Sequence, residues 1–71
     1  SDGTVMVNLV VRDADGKLVD SSSSVLVWSE MWEKNMFVGY FPRTPQTDGD
    51  YVLSIYIGNQ LLGSAKFKIQ S

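Results

Sequence analysis

Hydrophobic and polar residues alternate along the last third of the chain with the period of two that a β-strand imposes. One alternating run spans residues 51–57, and a second spans residues 65–69. Between them, Gly58 and Asn59 tolerate the backbone of a tight hairpin turn. A two-stranded hairpin is not stable alone in water, so we expect its apolar side to pack against a second layer. The residues on that side are Tyr51, Leu53, Ile55, Ile57, Ala65, Phe67 and Ile69.

The first part of the chain continues in short extended runs. Residues 4–12 alternate around a strongly β-branched side and are the expected partner of the hairpin. The Asp15-Gly16 pair then predicts a chain reversal into a short strand. The serine tract at 21–24 carries little apolar area. It therefore predicts a loose crossing between sheets, or the border of a short edge strand.

Two further extended runs are predicted, at residues 25–28 and 35–41, separated by an irregular segment that indicates a loop or one short turn. Trp28 is the expected central ring of the core. Residues 42–49 contain two prolines and a glycine, so we expect a loop there. About six short strands separated by turn signals predict an all-β fold, a small antiparallel β-sandwich.

Length, composition and charge limit the number of domains, the source of stability and the classes of partner. The 71 residues predict a single domain, 1–71, which we expect to be excised from a larger protein because the sequence opens on Ser1-Asp2-Gly3. Cysteine and histidine are both absent, so apolar packing must supply the stability. A net charge of -2 with scattered charges argues against nucleic acid as a partner. The apolar runs are too short for membrane insertion.

Residues 47–53 resemble the tyrosine corner of immunoglobulin-like domains, in which a glycine precedes a tyrosine by two positions. Here these are Gly49 and Tyr51, and Leu53 stands where antibody domains carry a disulfide cysteine. The wider pattern is similar to the bacterial macroglobulin-type and filamin-type repeats of the same superfamily. It comprises Asp15-Gly16-Lys17, Phe41-Pro42, Gly49-Asp50-Tyr51, Ile55, Ile57, Leu62-Gly63-Ser64, Phe67 and Ile69. The resemblance implies an immunoglobulin-like sandwich that acts as a non-catalytic module.

Carboxylates are the candidate chemical groups. Asp13, Asp15 and Asp20 could suggest a calcium loop, but their spacing does not match an EF-hand and favours an ordinary turn. Glu30 and Glu33 could form a carboxylate pair, yet a surface turn offers no cleft to hold them. Without histidine, no imidazole is present to activate a serine. We therefore expect no catalytic, metal or cofactor site, and no enzyme.

Aromatic residues are the better candidates for binding. Flat rings contribute a large contact area at low rotamer cost, either as anchors of a protein interface or as a platform for a sugar ring. The predicted contact patch consists of Met31, Trp32, Tyr40 and Tyr56. Lys66 and Lys68 are expected to guard an edge strand against aggregation, and the alternative is an anionic partner.

The predicted function is a spacer or protein–protein interaction module of a larger secreted or bacterial surface protein. Its expected partners are a protein or the neighbouring domains. Two alternatives remain open: a carbohydrate-binding module that uses exposed aromatic rings, and a self-associating structural domain. The expected location is extracellular or in the cell envelope. A cytoplasmic location is not excluded, because the lack of cysteine fits either environment.

Overall fold

A computed structural model describes residues 3–28 and 36–71 of the chain, except for the side chains of Trp28, Met36 and Phe37. The described residues contain strands and no helix, which confirms the all-β class. The strands are β1 (Gly3–Asp13), β2 (Leu18–Trp28), β3 (Met36–Gly39), β4 (Gly49–Ile57) and β5 (Gln60–Ile69).

All five strands belong to one antiparallel sheet in the order β3-β2-β1-β4-β5. β1 lies at the centre and pairs with β2 on one side and β4 on the other. The predicted pairing of the first strand with the C-terminal hairpin is therefore confirmed. A sandwich is not shown, because every strand of the described chain joins this single ladder.

The serine tract explains this difference. Its predicted role as a loose connection is wrong, because residues 21–24 lie inside β2 and pair with residues 7–10 of β1. Two of the hydroxyl groups, those of Ser23 and Ser24, have hydrogen-bond partners, whereas Ser22 Oγ is buried without one. Ser23 Oγ donates to Asn8 Oδ1 at 2.8 Å, and Ser24 Oγ donates to the Tyr40 carbonyl oxygen at 3.0 Å. The chain thus stays in the same sheet where it was expected to cross to another.

One face of the sheet, here called the apolar face, carries the core. On it, Val7, Leu9 and Val11 of β1 are buried in the centre. The register sets them opposite Ile57, Ile55 and Leu53 of β4, all of which are half-buried. The opposite face, here called the mixed face, carries both polar and apolar side chains, among them Asn8, Val10 and Arg12.

Tyr51 completes the core at one end of the apolar face. Its side chain is buried, and its ring stacks on that of Phe67 with the centroids 5.6 Å apart. Tyr51, Leu53, Ile55 and Phe67 therefore share one face, as the alternation predicts. The side chain of Trp28, the expected central ring, lies outside the described part of the chain.

Two tight turns follow the predicted chemistry. The Gly16 amide donates to the Asp13 carbonyl oxygen, and Gly16 has φ +84°. This geometry is that of a three-residue hairpin loop with glycine in the left-handed region. In the β4–β5 hairpin, Gly58 has φ +60° and Asn59 has a negative φ. Glycine at the first central position is typical of a type II′ turn.

Residues 40–48, here called the crossing segment, connect β3 at one edge of the sheet to β4. This segment passes over the apolar face, where residues 41–45 line a cavity of about 270 Å³ together with Val11, Leu53 and Phe67. Within the crossing segment, the side chain of Pro45 is buried. The predicted loop at 42–49 is thus an ordered cover over one end of the core, and β3 ends two residues earlier than predicted, at Gly39.

Candidate functional site

The structure describes two of the four members of the predicted contact patch, Tyr40 and Tyr56. Tyr40 follows β3 and is 82% exposed, whereas Tyr56 is half-buried on the mixed face of β4. Three strand spacings, about 14 Å, lie between these two strands. Met31 and Trp32 lie outside the described residues. Tyr40 and Tyr56 therefore do not form one surface.

Tyr40 instead lies beside other exposed apolar residues. Phe41 is 71% exposed where the crossing segment passes over the apolar face, and Val38 of β3, which pairs with Val25 on the mixed face, is 50% exposed. We call Val38, Tyr40 and Phe41 the β3-end patch. Sequence reasoning assigned Phe41 to an alternating strand and so missed it. The available signal was Pro42, which cannot continue a sheet interior and therefore moves the preceding residue out of the ladder.

Two hydrogen bonds hold the backbone around this patch. Ser24 Oγ donates to the Tyr40 carbonyl oxygen, and the Arg43 amide donates to Asp20 Oδ2 at 2.7 Å. The Arg43 amide is also the main reason that the pKa of the Asp20 carboxyl lies below its ordinary value, and the Ser21 amide and the Arg43 charge add to this lowering. Asp20 thus anchors the crossing segment to β2. Its carboxylate accepts hydrogen bonds from backbone amides, so its role here is structural.

Asp13, another of the aspartates considered for calcium, is also engaged by backbone amides. Asp13 Oδ1 accepts hydrogen bonds from the Asp15 amide at 3.0 Å and from the Lys17 amide at 2.9 Å. This is the local turn bonding that aspartate commonly provides. Within residues 3–28 and 36–71, no three acidic side chains come together in a way that could hold a metal ion. Glu30 and Glu33 lie outside those ranges.

A second exposed feature lies at the opposite edge of the sheet, on β5. Lys66 and Lys68 project from the mixed face, and β5 is an outer strand, as expected if the two lysines protect an edge strand against aggregation. Lys66 is paired with Val52, which is paired with Arg12, so two cations share one cross-strand row. This row has no acidic member.

Comparisons with known proteins add no family. The chain matches no protein-family model, and no curated protein or solved structure shows significant similarity to it. Nowhere in the described chain is there a helix with the length and hydrophobicity needed to cross a membrane. The candidate surfaces are thus defined by their geometry alone.

Proposed function

We propose that this chain is a non-catalytic, immunoglobulin-like module that serves as a protein–protein interaction or spacer domain of a larger secreted or cell-surface protein. The observation that carries the proposal is the β3-end patch. Exposed aromatic side chains on an anchored backbone, as at Tyr40 and Phe41, are typical of protein interfaces, where they bury a large area at a low cost in conformational entropy.

The immunoglobulin-like assignment draws support from Tyr51. Its hydroxyl donates to the Thr47 carbonyl oxygen at 2.5 Å, four residues upstream. A tyrosine corner makes the same kind of contact, from the start of a strand back to the preceding backbone. The half-buried Ile55 and Ile57 on the apolar face also leave an area that a second layer would cover. In a larger protein, a neighbouring segment would complete the sandwich there.

Binding to the neighbouring domains of the parent protein, measured by isothermal titration calorimetry, tests this proposal. We expect the double variant Tyr40→Ser, Phe41→Ser to weaken binding at least about tenfold, because aromatic anchors commonly dominate interface energies. Leu61→Ser with Leu62→Ser is the matched control, since both leucines are exposed but lie on β5. Equal loss in both variants, or no binding by the unmodified chain, would contradict the proposal.

A second candidate function, carbohydrate binding, is favoured by the exposed ring of Tyr40. A sugar ring can stack on such a surface without any protein partner. Titration of the chain with a glycan panel, followed by intrinsic fluorescence, distinguishes the two functions. A saturable response that Tyr40→Ala abolishes and Tyr40→Phe retains would favour the glycan. A flat response across the panel would remove this candidate.

A further inference from the structure

β5 forms an outer edge of the sheet that is open to another strand. It pairs with β4 on its inner side, and within the described chain no strand pairs with its outer side. Ser71 donates from its amide and its hydroxyl to Asp48, at 3.1 and 2.9 Å, which holds the residues after β5 beside β4. The outer backbone groups of β5 are therefore available, and such an edge is a template for strand addition.

The usable length of this edge is set by a bulge. The register between β4 and β5 shifts between Ile55 and Tyr56, with Leu62 as the extra residue. A bulge bends and twists its strand, which discourages pairing locally. The regular part of the strand beyond it is Gly63–Ile69, which we call the β5 edge.

The β5 edge is positively charged on the mixed face. Lys66 lies near its middle and Lys68 two positions further on, so both side chains leave the same face. The one ion pair of the described residues joins Lys68 Nζ to Asp50 Oδ1 at 3.9 Å, with side-chain exposures of 64% and 72%. Such an exposed pair contributes little and can be exchanged. Lys66 shares its row with Arg12, which increases the positive potential.

The other face of the β5 edge is apolar. Ala65 is exposed, whereas Phe67 and Ile69 are half-buried next to the core. An added strand would therefore continue the apolar face on one side and meet lysines on the other. A second copy is a poor occupant. Antiparallel pairing centred on Phe67 sets Lys66 of one copy opposite Lys68 of the other, and directly opposed like charges are destabilising.

We propose that the β5 edge binds an extended peptide segment of another protein in which carboxylate side chains alternate with apolar side chains. The peptide adds a strand beside β5, with its carboxylates facing Lys66 and Lys68. Its apolar residues extend the face that Phe67 and Ile69 begin. This inference rests on the proposed interaction function, and it names the surface and the chemical class of the partner.

The test uses blocked peptides of about nine residues, enough to span the β5 edge in an extended conformation. In one peptide glutamate alternates with valine; in two others glutamine or lysine replaces the glutamate. Backbone amide chemical shifts, recorded during titration, locate the site and give Kd. We expect shifts at Gly63–Ile69 and a preference of about twofold to thirtyfold for the glutamate peptide over the glutamine peptide, from two cross-strand charge pairs.

Charge reversal gives the decisive comparison. Lys66→Glu with Lys68→Glu should lose the preference for the glutamate peptide and gain one for the lysine peptide. The single variants Lys17→Glu and Lys66→Glu change the net charge equally. Lys17 lies in the turn between β1 and β2, away from β5, so Lys17→Glu should retain the original preference, whereas Lys66→Glu should reduce it. Thermal unfolding verifies that each variant folds.

Four outcomes would overturn the inference. The first three are equal affinity for the glutamate and glutamine peptides, absence of binding at millimolar peptide, and a doubled mass of the unmodified chain in light scattering. The fourth is a peptide that shifts only Val38 to Phe41. That last result leaves the proposed function standing, because Val38 and Tyr40 lie at the edge of the sheet opposite to β5.

Discussion

Replacing Gly39 with alanine tests a close approach between the backbones of β3 and β2. Gly39 of β3 is paired with Ser24 of β2 and has φ +146°, a conformation that residues with a Cβ rarely adopt. A Cβ built on Gly39 would lie 2.7 Å from Ser24 Cα and 2.5 Å from Ser24 Oγ. Ser24 is only 2% exposed, so its backbone has little room to move away.

The magnitude follows from these distances. Ordinary contacts of a Cβ begin near 3.4 Å, so the strands would have to separate by 0.7 Å at this point (3.4 minus 2.7). Such a separation weakens the pairing of β3 and the bond from Ser24 Oγ to the Tyr40 carbonyl. Backbone strain of this kind costs about 1–3 kcal/mol, and we expect a total loss of about 2–4 kcal/mol for Gly39→Ala.

Urea unfolding followed by circular dichroism measures this loss. A chain of this length is expected to have a free energy of unfolding of about 4–11 kcal/mol, so the change is a large fraction of the total. Gly63→Ala is the matched control. Gly63 also lies in a strand, but it has no atom within 4 Å of a built Cβ and no positive φ. We expect Gly63→Ala to leave the stability unchanged or to raise it by about 0.5 kcal/mol. If Gly39→Ala changes stability by less than about 0.5 kcal/mol, the argument from close approach is wrong.

Two further variants probe the hydrogen bonds that hold the crossing segment. Tyr51→Phe removes the bond to the Thr47 carbonyl oxygen and should cost about 1 kcal/mol in urea unfolding, whereas an unchanged midpoint would show that the bond contributes nothing. For Asp20, the Arg43 amide holds the folded-state pKa below the ordinary value of 3.8, so its stabilising effect is present above that pH and is lost as the pH falls through the lowered value. We therefore expect Asp20→Asn to lessen the loss of stability on acidification, measured as urea midpoints between about pH 2 and pH 6. An identical pH profile for Asp20→Asn and the unmodified chain would exclude this contribution.

The C-terminal hairpin is the part of the fold that sequence reasoning captured best. Period-two alternation identified both of its strands, and Gly58 marked the turn, because these signals act between residues close in sequence. The serine tract failed for a physical reason. Ser23 and Ser24 reach partners on β1 and beyond β3, and those bonds form only after the chain has folded. Local propensity therefore predicted a loop where the structure has the interior of a strand.

The number of layers was not readable from the alternation. Alternation tells which side of each strand is apolar, but a strand pairs equally well into one continuous sheet or into either of two stacked sheets. The same limit applied to the contact patch. Tyr40 and Tyr56 both looked like candidate surface rings, and only the strand order shows that β3 and β4 are three positions apart.

The described strands form a single layer, which explains both the small number of buried side chains and the exposed edge strands. The radius of gyration is 14.2 Å, against about 11 Å for a compact domain of this length. A flat sheet gives each outer strand an exposed edge and leaves few side chains fully buried. β3 and the β5 edge lie at opposite ends of the strand order, about 19 Å apart across four strand spacings, whereas Phe41 lines the same cavity as Phe67 and Ile69 of β5. Substitutions separated by more than about 10 Å usually act additively. A chain that carries Tyr40→Ser, Lys66→Glu and Lys68→Glu, and keeps Phe41, should therefore lose both kinds of binding independently, and any coupling between the two losses would mean that one partner spans the sheet.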